Sequence, residues 1–227
     1  MHFERYELRT THPVDARAFY EALLGSLPTG LAITVLPARA IANGARPHWL
    51  GVLGTPRPRD EASVWIARGA VQLGPTRDDG SVVLRDPLGA ILALGDARGD
   101  DAACVRWRHL NAPDRDASLA LYAERCGWSL GDEIAGTRVE GASTGPARVF
   151  SSRDGEPPIG SAASILDPQR THPSWTWFFE VPDLDAALAH VRDTGGVHLP
   201  IHRAPFGARS AACDDPQGAA FGLWQTA

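Results

Sequence analysis

The sequence predicts an α+β fold in which one strand–helix–strands unit recurs, twice in each half of the chain. Three observations predict it. The segment Asp86-Pro87-Leu88-Gly89-Ala90-Ile91-Leu92-Ala93-Leu94 reappears as Asp215-Pro216-Gln217-Gly218-Ala219-Ala220-Phe221-Gly222-Leu223, a turn followed by a strand near the end of each half. Each copy follows a helix that stops at small residues and then a strand, Arg68–Leu73 in the first half and Thr194–Leu199 in the second. Upstream, His12-Pro13-Val14-Asp15-Ala16-Arg17-Ala18-Phe19-Tyr20-Glu21-Ala22-Leu23-Leu24-Gly25 echoes the helix-like run from Asp114 to Gly127.

Each element has a local reason. Pro13 suits a first helical turn, where no N–H donor is needed, so the first helix begins near His12 and ends at Gly25. The segment Gly95–Ala103 is short, polar and glycine-containing and reads as a linker, dividing the chain into units 1–96 and 104–227. Gly127 to Ser174 is long enough for three strands with some loop to spare. The strand Trp175–Val181 leads into the last helix, where Asp183 caps the first turn. Leu184, Leu188 and Val191 share one face of that helix, and Gly195 permits a left-handed stop. The repeated unit is therefore βαβββ.

Composition removes several function classes. All 22 basic residues are Arg, which excludes Schiff-base lysines, lysine-bound pyridoxal phosphate and the Lys of a phosphate-cradling P-loop. A net charge of −5 with no concentrated Arg run argues against a nucleic-acid surface. Cys104, Cys126 and Cys213 form no CxxC and are expected to be reduced. No long apolar run or signal-like N-terminus is readable, so the expectation is a cytoplasmic protein, off the membrane, whose partner is a small organic molecule.

The runs FYEALLG, WFFEVPDLDAALAHVRDTGG and DDPQGAAFGLWQ resemble the vicinal oxygen chelate superfamily of glyoxalases, bleomycin-resistance proteins and extradiol dioxygenases. The resemblance spans nearly the whole chain. It implies tandem glyoxalase-like domains with curved mixed sheets around a cavity. The first is shortened, because Gly25 to Trp49 holds one or two short strands where the family has three. It also implies a divalent ion held by His or Glu seven residues before the helix-opening Asp and by a carboxylate seven after the Asp of DPxG. Counting gives Trp107, Thr176 and Gly222 in the second half, and Arg5, Ala93 and Leu50 in the first. None is a metal ligand, so no metal and no cofactor are expected. His198 and His202 lie on an extended segment, roughly 13 Å apart, and read as surface histidines.

Strand alternation places Trp107, His109, Asn111, Phe178, Glu180 and Trp224 toward the second cavity. Trp175, Trp177, Phe179, Phe221 and Leu223 then pack under the helices. The first set suits a small-molecule pocket, and a closed core is the alternative. His109 and Glu180, on strands adjacent in the family fold, are candidates for a proton-transferring pair or for a polar pair that only shapes the cavity. In the first half the inward set Arg5, Glu7 and Arg9 forms either an internal ion pair or an anion site. Gly141-Ala142-Ser143-Thr144-Gly145 matches GxSxG, but Pro146–Phe150 reads as the returning strand of a hairpin rather than a helix, so a turn is expected.

The resulting expectation is a metal-independent binder of a small organic ligand. The alternatives are a lyase, isomerase or oxygenase using His109 and Glu180 or a noncanonical metal, and a scaffold without ligand. The domains pair within one chain as a pseudo-dimer, or the chain forms a homodimer.

Overall fold

A computed structural model describes residues 1–97, 105–136, 145–169 and 171–227, with backbone alone at 138–139 and 142–143. Most of the expected linker, Cys104, and Gly141 and Thr144 of the GxSxG run lie outside the described residues. The first half runs β1 (Phe3–Thr10), α1 (Pro13–Leu24), β2 (Leu31–Val35), α2 (Ala38–Ala42), β3 (His48–Thr55), α3 (Pro58–Ala67), β4 (Val71–Gln72), β5 (Val82–Arg85) and β6 (Ile91–Asp96). The second runs β7 (Val105–Ala112), α4 (Arg115–Cys126), β8 (Ser129–Ile134), β9 (Arg138–Val139), β10 (Ala142–Ser143), β11 (Ala147–Ser151) and β12 (Gly160–Ser164). It continues through β13 (Ser174–Glu180), α5 (Leu184–Asp193), β14 (Val197–His198), β15 (His202–Arg203), β16 (Arg209–Asp214) and β17 (Ala220–Gln225).

Local signals set these limits. Asp114 and Asp183 accept from the backbone N–H of Ala117 and Ala186, both at 3.0 Å, and so cap α4 and α5. Helices α1 and α4 stop where Gly25 and Gly127 take φ of 79° and 75°. Ser143 sits in the β9–β10 ladder, and the next element is strand β11, so it has no helix behind it of the kind a nucleophile elbow requires.

Two mixed sheets result, ordered β2-β1-β3-β6-β5-β4 and β14-β16-β17-β13-β7-β12-β11-β8, with β15 on β16. In each half the first strands of the two units form a central antiparallel pair, β1 with β3 and β7 with β13. Each unit closes with a strand parallel to its first: β6 on β3, β12 on β7, β17 on β13. By this rule β2, parallel to β1, is the closing strand of the first unit. The first unit of the shortened half therefore lacks the counterparts of β8 and β11, with α2 following β2 in their place.

The sheets pack back to back. Phe3 and Tyr6 of β1 meet Trp177 of β13 at ring-centroid distances of 4.8 and 4.9 Å, and Trp175 and Trp177 stack at 5.4 Å. Gly51 of β3 allows this approach, since a Cβ there would lie 2.5 Å from the Trp177 ring. Trp175, Trp177, Phe179, Phe221 and Leu223 are all buried on this shared face, as strand alternation predicts.

The repeats meet in a reciprocal network. Tyr20 of α1 donates to Asp215 Oδ2 at 3.1 Å and accepts from Trp49 Nε1 at 2.9 Å. Tyr122 of α4 donates to Asp86 Oδ2 at 2.9 Å and accepts from Trp175 Nε1 at 3.1 Å. The other oxygen of each Asp holds its own turn, Asp86 through Leu88 and Ala90 and Asp215 through Gln217 and Ala219, each at 2.9 Å. The helix of each half is thus pinned to the DPxG turn of the other.

Candidate functional site

Facing away from the shared core, the second sheet encloses a cavity of about 820 Å³. Ile134 at one margin of the sheet and His202 at the other both line it, so the sheet wraps around the space. Trp107, His109, Asn111, Phe178 and Trp224 are brought together in its wall. Trp107 and Trp224 stack at 5.2 Å with 14° between their planes, and Phe178 meets Trp224 edge-on at 6.4 Å. Next to the lining residue Pro205, Phe206 stands 68% exposed with its ring 6.2 Å from Trp107. Its backbone (φ 61°, ψ 29°) is the only positive φ outside glycine among the described residues. Strain of this kind persists where the surroundings hold it.

The polar groups gather on His109. Its Nδ1 lies 2.9 Å from Ser161 Oγ, its register partner on β12, and the same hydroxyl accepts from Trp107 Nε1 at 3.1 Å. His109 Nε2 is buried with no hydrogen-bond partner among the described residues. Burial pushes the imidazole down to about 4, with Asn111 opposing the shift and His202 adding to it, so the ring is neutral at pH 7. Across the cavity His202 Nε2 lies 2.9 Å from Ser210 Oγ, and burial lowers its pKa too. His202 is therefore a cavity residue and not the surface histidine expected from VHLPIHR. The missed signal is the cross-strand pairing of His202 with Ser210, which depends on a turn the sequence does not reveal.

Glu180 is placed elsewhere. His109 stands opposite Thr176 in the β7–β13 ladder, so Glu180 is four residues farther along, about 13 Å at strand rise. It is exposed and accepts from Thr226 Oγ1 at 2.5 Å, and the structure does not join it to His109.

The family's metal positions can be judged by their chemistry. Trp107 presents an indole, Thr176 a hydroxyl and Gly222 no side chain, and the Phe178 ring would lie 2.2 Å from any Cβ at Gly222. That donor set does not fit a divalent ion, which needs several carboxylates or imidazoles. Among the described residues no group of three or more His, Cys, Asp or Glu could hold a metal.

The first sheet's equivalent face is filled. Glu7 Oε2 accepts from Arg77 Nη1 at 2.8 Å and Arg9 Nη2 at 3.4 Å, and the Arg5 guanidinium lies over Gly95. Of the inward set, Glu7 and Arg9 thus form an internal ion pair that Arg77 joins, on a sheet that also carries the buried apolar cluster of Leu50, Val52, Val83 and Ala93.

Comparison with solved structures identifies this architecture as an extradiol-dioxygenase-like fold. The chain is similar to the 2,3-dioxygenase LapB from Pseudomonas sp. KL28, with a TM-score of 0.61, 11% identity, and 98% of this chain and 91% of that one covered. It is also similar to homoprotocatechuate 2,3-dioxygenase from Brevibacterium fuscum, solved with 3,4-dihydroxyphenylacetate, with a TM-score of 0.62, 14% identity and 99% and 80% covered. At these identities the likeness shows the fold alone. A family model matches residues 104–223, and the chain belongs to the glyoxalase/bleomycin resistance protein/dioxygenase superfamily. Curated relatives include the anthracycline biosynthesis protein DnrV of Streptomyces peucetius, 30% identical over 133 residues, 52% of this chain and 46% of that protein. CFP32 of Mycobacterium tuberculosis, whose name carries the word glyoxylase, is 30% identical over 122 residues, 52% of this chain and 44% of that protein. The chain spans just under half the length of these relatives. No helix among the described residues is long and apolar enough to cross a membrane.

Proposed function

We propose that the chain binds a planar aromatic small molecule in the second-half cavity and does so without a metal ion. The observation that carries this reading is the wall itself. Stacked Trp107 and Trp224, with Phe178 and Phe206 near them, offer flat apolar surfaces, while His109, Asn111 and Thr176 offer uncharged polar groups. The cavity volume lies within the range of small-molecule sites. The indole, hydroxyl and bare backbone at the family's ligand positions favour metal independence, and the name of the Streptomyces relative is in keeping with an aromatic polycyclic ligand. Residues 1–96 and 104–227 act in this reading as a structural and a binding unit, paired as a pseudo-dimer. The buried free thiols of Cys126 and Cys213 support a reducing, cytoplasmic setting. An enzyme built on this cavity would rest on His109, since Glu180 lies away from it.

The test is quenching of tryptophan emission by the planar tricyclic fluorene, in EDTA and again with excess Mn²⁺, alongside native mass spectrometry of the untagged protein. Micromolar quenching that Trp224→Ala abolishes and Mn²⁺ leaves unchanged is the expected result. Absence of quenching, or tightening by the metal together with a retained divalent ion in the native mass, overturns the reading.

A further inference from the structure

We infer that Ser161 fixes His109 in the tautomer whose proton is on Nε2, so that the cavity presents an uncharged N–H donor to a carbonyl oxygen carried by the aromatic ligand. This rests on the binding reading above and names the class of ligand: a planar aromatic ketone or quinone.

An indole Nε1–H donates and cannot accept, so in the 3.1 Å contact with Trp107 the Ser161 oxygen must be the acceptor. A serine hydroxyl has one hydrogen of its own. Ser161 is buried, and the only acceptor within reach of it among the described residues is His109 Nδ1 at 2.9 Å. If Nδ1 carried the proton instead, the Ser161 hydrogen would be left without an acceptor inside the protein, a costly arrangement for a buried group. The economical order is a relay from Trp107 N–H to Ser161 oxygen, and from Ser161 O–H to His109 Nδ1. A neutral imidazole that accepts at Nδ1 carries its hydrogen at Nε2.

That Nε2 has no partner in hydrogen-bond geometry in the cavity wall, although the Asn111 side chain lies close enough to the ring to favour its charged form. A buried N–H with nothing to donate to is destabilising in the free protein, and a ligand acceptor at that point restores the bond. Ligands with an acceptor there are favoured over isosteres without one. His202 does not compete for this role, since its Nε2 already faces Ser210. The aromatic stack begins on the same strand, two residues from His109, which places the acceptor on or next to the ring system and not on a long side arm. Ser161 also lines the cavity, but with its hydrogen given to the imidazole and its oxygen accepting from Trp107, its part here is that of a positioning residue.

The experiment compares 9-fluorenone with fluorene, tricyclic molecules of nearly one shape that differ in a carbonyl, by tryptophan quenching against the full chain. Fluorene is the more hydrophobic, so burial alone would favour it. The expected result is roughly tenfold tighter binding of fluorenone, with the ratio falling to about one in His109→Phe, falling partway in Ser161→Ala, where the ring is free to take either tautomer, and restored in Ser161→Thr, which keeps the hydroxyl. Nitrogen-15 NMR of the wild-type protein gives a second readout that needs no variant: Nδ1 of His109 at a pyridine-like shift and Nε2 at a pyrrole-like shift, exchanged or averaged in Ser161→Ala. Equal affinities for the two probes, or a pyrrole-like Nδ1 in the wild type, overturn the inference while leaving the binding reading intact. Failure of both probes to bind overturns the binding reading and the ligand class with it.

Discussion

The two halves share one back-to-back core and differ on the faces turned away from it. In the second sheet that face wraps an open cavity of about 820 Å³ walled by aromatic and neutral polar groups. In the first, Arg77 and Arg9 close on a buried Glu7, and a small apolar cluster fills what remains. The cause is local. The first unit lacks counterparts of β8 and β11, and the Glu7 carboxylate on that face is paired within the protein.

Trp177→Ala empties the centre of the shared face and should cost about 3–5 kcal/mol, read as one coincident urea transition for the whole chain. Two separate transitions would show that the halves are not one cooperative core. A second test uses acid. An unfolded His109 takes a proton near pH 6.5, whereas the buried ring does not until about 4, so the unfolded chain binds more protons in between and stability falls as pH drops from 6.5 to 4. The loss from this group is at most about 3 kcal/mol, and the stability–pH slope should flatten in His109→Phe; an unchanged slope would move the effect to His48 and His202, whose lowered pKa values carry the same sign.

Tyr20→Phe and Tyr122→Phe each leave a carboxylate oxygen and an indole N–H unpaired. Each should cost about 2 kcal/mol, and near-equal losses in thermal unfolding are the signature of the reciprocal network. Glu7→Gln should destabilise by about 1–2 kcal/mol without moving fluorene affinity, and a change in affinity would assign the first half a part in binding. The smallest effect is Phe206→Gly. It removes the left-handed strain and should raise stability by up to about 1 kcal/mol while weakening fluorene binding severalfold; unchanged affinity would take Phe206 out of the site.

The framework is legible in the sequence because it rests on short-range rules. Asp183 before α5, Pro13 at the start of α1, Gly127 after α4 and the DPxG turns each carry their own local signal, and alternation on β13 separates Trp177 from Phe178. The site was legible only along single strands, as for Trp107, His109 and Asn111. What escaped was set by register between strands. The pairing of His109 with Thr176 carries Glu180 past the cavity, Ser161 enters through a strand fifty-two positions away, and His202 turns inward because β15 folds back on β16.

The paired Tyr–Asp contacts bear on how such a chain could arise and come apart. Tyr122 and Asp215 both belong to the second half, yet each finds its partner in the first. A fragment cut to residues 104–227 would carry one donor and one acceptor of matching kind, both stranded. Two copies of it, related by a twofold axis, would satisfy each other, Tyr122 of one on Asp215 of its mate. The intact protein then has the connectivity of two such units joined in one chain, with the open cavity on the second.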